Sequence, residues 1–229
     1  MVRSLLRRIV PWQSVRRDLN VASTASRHAL AAVWNAIVHR GELGGFRDVK
    51  INVGCGNLVI PGWVNVDLYP AAGAHYLNVV NGFPFSTCAA THIHCEHFLE
   101  HLEYRDALRF LSESHRVLGK GGSLRVIVPD AGKYARAYAA GDQAFFGQLL
   151  HLGGAVTALD LPMLVLNQMF RMGGDHLHAW DFPTLETALR QAGFSKVELS
   201  SLGDVAPELR IDGSDSWRPL ESLYVNAWK

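Results

Sequence analysis

Two glycines and an aspartate, Gly54-Cys55-Gly56 and Asp67, are the residues whose types and spacing best define a chemistry in this chain. The glycines follow an apolar run, Lys50-Ile51-Asn52-Val53, and the aspartate closes a second one, Trp63-Val64-Asn65-Val66. Glycine lacks the Cβ that would hold a ligand off the backbone, and a carboxylate ending the next strand can accept both hydrogen bonds of a ribose diol. The pairing predicts a nucleoside site. Dinucleotide fingerprints carry a further Gly or Ala where Val59 stands here, and their acid follows after roughly 20 residues, later than Asp67 does. A phosphate cradle is therefore poorly supported.

Histidines form a second set. In Asp175-His176-Leu177-His178-Ala179-Trp180-Asp181, the imidazoles of His176 and His178 would face one side if extended, with Asp175 or Asp181 to orient a ring. A ring with a pKa near 6.5 can take the proton of an oxygen nucleophile at neutral pH. The same pair is equally suited to capping the next helix or bonding carbonyls. His92 and His94 alternate onto one strand face, and His97 and His101 are four apart, as zinc ligands on a helix can be. No carboxylate or cysteine cluster has the usual ligand spacing, so the sequence predicts no metal.

The elements that must position these residues alternate between strand and helix. Tyr104 to Leu118 places Leu108, Leu111, His115 and Leu118 on one helical face, with Asp106 near the N-terminus and Gly119 and Gly121-Gly122 as stop signals. Ser123 to Asp130 reads as a buried strand. Asp181-Phe182-Pro183-Thr184 opens a helix that buries Leu185, Ala188, Leu189 and Ala192 and closes at Gly193. Residues 131–179 read as a mostly helical insertion that caps a substrate pocket or, equally consistent with its apolar content, as an extra pair of core helices, with Gly173-Gly174 as a hinge or a turn.

These motifs together resemble the class I S-adenosylmethionine-dependent methyltransferases, in particular a methyltransferase type 11-like subgroup. "INVGCGN…PGWVNVD" is similar to its "LNLGCGN…PGWINVD", "HFLEHL" to its "HxLEHL", "RVLGKGGSLRVIVPD" to its "RVLKPGGxLxIxVPD", and "LETALRQAGFSKVEL" to its "LxxLLxxAGFxxVxx". "HLHAWDF" resembles its "HxHAFDF". The resemblance spans about Val49 to Lys229. It implies a Rossmann-like α/β fold, a mostly parallel seven-stranded sheet with helices on both faces, and S-adenosylmethionine as cofactor. Carried over by position, it implies that Gly54, Cys55 and Gly56 approach the cofactor's methionine part, Asp67 holds the ribose hydroxyls and Leu68 flanks the adenine. Asn78 would lie at the adenine amine, Glu96 at the methionyl end, and His176 or His178 would act as base. The interval from Gly56 to Asp67 is too short for a full first helix, a departure from most such enzymes.

Size and composition fit this picture. The chain has 229 residues, 48% hydrophobic, and a formal charge of +1, so no strong positive field argues for nucleic acid. Three cysteines give no disulfide framework, which suits a reducing cytosol, and no uncharged run is long enough to span a bilayer. The chain is expected to divide into an arm, 1–47, and a methyltransferase domain, 48–229. The arm carries Arg3, Arg7, Arg8, Arg16 and Arg17 among apolar residues, and a helix is expected from Ala22 to Val38. Packing of the arm on the sheet is the first reading, peripheral contact with anionic lipid on the inner membrane face the second, and a targeting peptide a further one. The acceptor expected is a small molecule, saccharide or glycolipid hydroxyl. The alternatives are an inactive S-adenosylmethionine-binding scaffold and, third, an NAD(P)-dependent oxidoreductase.

Overall fold

The structure, a computed structural model, describes residues 40–155 and 160–229. The arginine-rich segment and the helix expected over Ala22–Val38 lie outside the described residues. The short helix α1 (Arg40–Gly45) is described, and its Leu43, with Phe46 beyond it, packs into the main core. The packed body thus begins before Val49.

Seven strands form one sheet among the described residues: β1 (Val49–Val53), β2 (Val64–Asp67), β3 (His75–Tyr76), β4 (Ala90–Glu96), β5 (Leu118–Pro129), β6 (Lys196–Ser200) and β7 (Ser222–Trp228). Their order is β3-β2-β1-β4-β5-β7-β6. Strands β1 to β5 pair in parallel, and β7 runs antiparallel to both β5 and β6. In the central strands Ile51 and Val53, Ile93 and Cys95, and Leu124, Val126 and Val128 alternate onto one buried apolar face, while Asn52, His92, His94 and Arg125 are buried on the other. The mostly parallel seven-stranded sheet implied by the resemblance is present.

No helix separates β1 from β2, as the short spacing predicted. Two buried asparagines do a helix's work of satisfying the backbone there. Asn52 Nδ2 donates to the Leu58 carbonyl at 3.0 Å and to Asn65 Oδ1 at 3.1 Å. Asn65 in turn accepts from the Ile60 amide at 2.9 Å and donates to the carbonyls of Ile60 and Trp63. Buried backbone groups need such partners, and the two amides supply them where no helix could fit.

Helix α2 (Tyr104–Val117) differs from expectation in two respects. It buries Ala107, Phe110, Leu111, Ser114 and Val117, whereas Leu108 and His115 are only partly covered. The stripe is rotated because Phe110 packs edge-on against both Phe83 and Phe98, an aromatic contact that outweighs Leu108. The glycines do not stop this helix. Its C-cap is Leu118 in extended conformation, already paired with Ala90, and Gly119 to Gly122 lie in a bulge of β5.

The insertion is helical as expected: α3 (Ala131–Ala139), α4 (Gln143–Leu152) and α5 (Pro162–Arg171) bury a second apolar cluster around Tyr134, Phe146, Leu149, Val165 and Met169. Asp130 and Asp142 cap α3 and α4, accepting from the amides of Lys133 and Phe145, each at 3.0 Å. Helix α6 (Phe182–Gln191) opens on Asp181, whose side chain accepts from the Thr184 amide at 3.0 Å, and buries Leu185, Ala188 and Leu189. A last short helix, α7 (Arg218–Glu221), leads into β7.

Candidate active site

Parallel pairing brings the carboxyl ends of β1, β2, β4 and β5 to one edge of the sheet, where α/β folds bind ligands. Gly54, Asp67, Glu96 and Pro129 all reach that edge.

The glycine bend is built for two different reasons. Gly54 (φ +67°) packs beneath Phe98, and a Cβ on it would come within 2.6 Å of that ring. Gly56 (φ +51°) is exposed, and a Cβ there would meet nothing within 4 Å. The open point of the bend is therefore Gly56. Cys55 is buried, and desolvation pushes its thiol up to about 11, which keeps it inert.

Asp67 closes the bend from the next strand. Its Oδ2 accepts from the Gly56 amide at 2.8 Å and its Oδ1 from the Tyr69 amide at 2.7 Å. A carboxylate has about four acceptor sites, so two are committed to the loops and two remain. Leu68 follows at the half-buried rim. Asn78 caps a single 3-10 turn, Val79–Asn81, with its Oδ1 accepting from the Val80 amide at 3.1 Å. One lone pair of that oxygen is thus already used in an Asx turn.

Glu96 is not free at this edge. Arg218 Nη1 and the Gly213 amide donate to its two oxygens at 2.5 and 2.8 Å, and against the opposing effect of burial the His94 ring, the Arg218 ion pair and the Gly213 amide, in that order, hold its carboxyl below the usual range. The side chain ties β4 to the segment that leads into α7, a role the sequence did not reveal because Gly213 and Arg218 lie over a hundred residues away.

Past the carboxyl ends of β4 and β5 lies a cavity of roughly 170 Å³, with walls supplied by His97, Pro129, Tyr134, Met169, His176 and Glu221 among others. Helices α3 and α5 of the insertion contribute Tyr134 and Met169, so the insertion does shape a pocket. His97 holds a left-handed backbone (φ +47°), uncommon for a side-chain-bearing residue, and stands edge-on to Trp217. Burial lowers its imidazole to about 3, so the ring is neutral throughout the physiological range. Glu221 is pushed up by burial to about 6, and Tyr134 donates to its Oε2 at 2.7 Å.

His176 and His178 do not share a side. The amides of Leu177 and His178 both donate to the Glu100 carbonyl, at 2.9 and 3.2 Å, a pattern that a regular strand does not allow. The chain turns there. His176 lines the cavity, with Nδ1 against the Met169 carbonyl at 2.5 Å, and burial lowers its pKa. His178 instead packs against Tyr104 and Trp180, ring centroids 5.0 and 4.6 Å away. Of the two expected bases, only His176 reaches the cavity. Asp181 is spent on capping α6 and orients neither ring.

His92 and His94 do share a face, edge-on against Trp63 in the core. His97 and His101 are on no common helix. Spacing along the chain misses another grouping: Glu100, His101 and His176 can each offer a ligand atom, all within 4.8 Å of one another.

No protein-family model matches the chain, and no curated protein does. Among solved structures, a SAM dependent methyltransferase from Archaeoglobus fulgidus superposes with a TM-score of 0.51 at 13% identity, over 88% of this chain and 94% of that one. A 1,6-didemethyltoxoflavin-N1-methyltransferase from Burkholderia thailandensis superposes with a TM-score of 0.47 at 13% identity, over 95% of this chain and 88% of that one. With the observed sheet, the first of these defines the fold as that of class I methyltransferases. Among the described residues no helix is long and apolar enough to cross a membrane.

Proposed function

We propose that this chain is an S-adenosylmethionine-dependent methyltransferase acting on a hydroxyl of a small molecule, saccharide or glycolipid. The observation that carries the reading is the pairing of an exposed, side-chain-free Gly56 with an Asp67 carboxylate that keeps acceptor capacity toward solvent. Those features suit an adenosyl group: backbone contact at the bend and a diol at the acid, with Leu68 against the base. The bound cofactor would supply an electrophilic methyl on a sulfonium.

The chain's own part is to hold an acceptor in the cavity walled by His97, His176 and Glu221, keep water out and receive a proton. Positioning is the larger share of such catalysis. Glu221 is the wall group suited to take the proton, since a carboxylate held at about 6 is ionised at neutral pH yet more basic than an ordinary one. His176 presents a neutral ring whose Nδ1–H is directed to a carbonyl, which leaves Nε2 as a lone-pair donor toward the acceptor. His178 has no part in this reading.

A thermal-shift screen tests it. S-adenosylmethionine or S-adenosylhomocysteine at hundredfold excess over its dissociation constant should raise the melting point by roughly 5–10 °C. NADH and NADPH should leave it unchanged. A shift with the nicotinamide cofactors and none with the adenosyl ones would replace the proposal with the oxidoreductase reading.

A further inference from the structure

The geometry points to a divalent transition-metal site made by Glu100, His101 and His176, on the wall of the acceptor cavity. Three observations converge on it. First, the ligand atoms lie within 4.8 Å of one another, where a tetrahedral zinc shell needs separations of roughly 3.4 Å. Modest side-chain rotation closes the difference.

Second, Glu100 is 2% exposed, and neither carboxylate oxygen has a hydrogen-bond partner. His97 Nδ1 is 3.5 Å away without making one. A carboxyl so buried has neither a hydrogen-bond partner nor a countercharge for its ionised form, and a cation would provide one.

Third, both imidazoles are arranged as metal ligands are. His101 Nδ1 lies 3.0 Å from the Asp175 carbonyl and His176 Nδ1 lies 2.5 Å from the Met169 carbonyl. A carbonyl there fixes the proton on Nδ1 and leaves Nε2 free in each ring, which is the outer-shell pattern of ligating histidines. The rings stand edge to face with centroids 5.0 Å apart. The segment bearing His176 is laced to the Glu100 carbonyl through the amides of Leu177 and His178. The three ligands are thus held together by backbone, as a preorganised site requires.

Two imidazoles and one carboxylate leave coordination positions open, and His176 is shared with the cavity. An acceptor hydroxyl bound there would be acidified by the metal and would give its proton to Glu221. This catalytic use rests on the proposed methyltransferase reading; the site itself does not.

The test is calorimetric titration of tag-free, chelator-stripped full chain with zinc, manganese and magnesium, in the absence of any adenosyl compound. One equivalent of zinc or manganese should bind. Glu100→Gln and His176→Ala should each weaken it by about 100-fold or more, and Asp67→Ala, in the cofactor bend, should not. Cobalt(II) should show the absorption of a four- or five-coordinate ion in the wild type and lose it in His101→Ala, an exposed position that tolerates change. Failure to bind one equivalent, or binding that all three ligand variants retain, would overturn the site. Either result leaves the cofactor screen untouched, so the two failures are distinguishable.

Discussion

Asp67 Oδ2 accepts the amide proton of Gly56 across 2.8 Å, so the carboxylate at the end of β2 holds the bend at the end of β1 in place. One side chain thereby shapes the backbone concavity and borders it. Substituting Asp67 must be read with that double role in mind, and Asp67→Asn, which keeps size and one carbonyl oxygen, is the informative change.

The two glycines of the bend should respond differently to alanine. Gly56→Ala carries only the left-handed backbone penalty, about 1–2 kcal/mol, because its Cβ meets open space. Gly54→Ala adds a collision with Phe98 and should cost several kcal/mol by denaturant unfolding. Adding Phe98→Ala should recover part of that loss. Equal destabilisation by the two single changes would contradict the packing described.

Much of this was legible in the sequence, and the reasons differ by element. The strands of the parallel sheet show because their apolar residues alternate, as Ile51 with Val53 and Ile93 with Cys95 do, and α6 shows because Asp181, Pro183 and Gly193 mark its ends. The bend and Asp67 were readable because their residue types are dictated locally. What stayed hidden depends on partners remote in the chain: Glu96 on Arg218, Glu221 on Tyr134, and His176 beside Glu100 and His101. His178 was misplaced because alternation was assumed where the two amides converge on one carbonyl.

Stability should fall on mild acidification through His92. This ring is 2% exposed, its Nδ1 lies 2.6 Å from Ser123 Oγ, and burial lowers its pKa to about 3. Unfolded histidine titrates near 6.5, so from about pH 6.5 down to about 3 the unfolded chain binds a proton that the native ring refuses. Stability is intact above that window and declines within it. Denaturation at several pH values should show the slope, and His92→Phe should flatten it by as much as ~1.4 kcal/mol per pH unit. An unchanged slope would remove His92 from the linkage.

The ion pair of Arg125 with Asp212 is buried, side chains 0% and 1% exposed, with further bonds from Arg125 to Asn226 Oδ1 and the Ser201 carbonyl. Removing one partner strands the other charge. Asp212→Ala should destabilise by about 3–5 kcal/mol. The arginine holds the Asp212 carboxyl below its usual range despite burial, so the pair's stabilisation is present above the unfolded carboxylate pKa and is lost as pH falls through the depressed value. A loss under 1 kcal/mol would show that the pair is compensated elsewhere.

Tyr134 donates to Glu221, and that bond lowers the pKa of the acid against the effect of burial. With an acceptor in hand, the acid limb of the kcat/KM profile should lie near 6. Tyr134→Phe should move it to higher pH, since the carboxylate loses a donor. A limb that does not move would exclude Glu221 as the proton acceptor.

The most direct measurement is calorimetry of S-adenosylhomocysteine with wild type, Asp67→Asn and Gly56→Val, each first shown to be folded by its melting curve. The wild type should bind, and each substitution should weaken binding by roughly 10–150-fold, the worth of hydrogen bonds to a charged group or of the lost approach. Affinity equal to wild type in both variants would mean that the ligand sits elsewhere, and the account of the bend and its aspartate would be wrong.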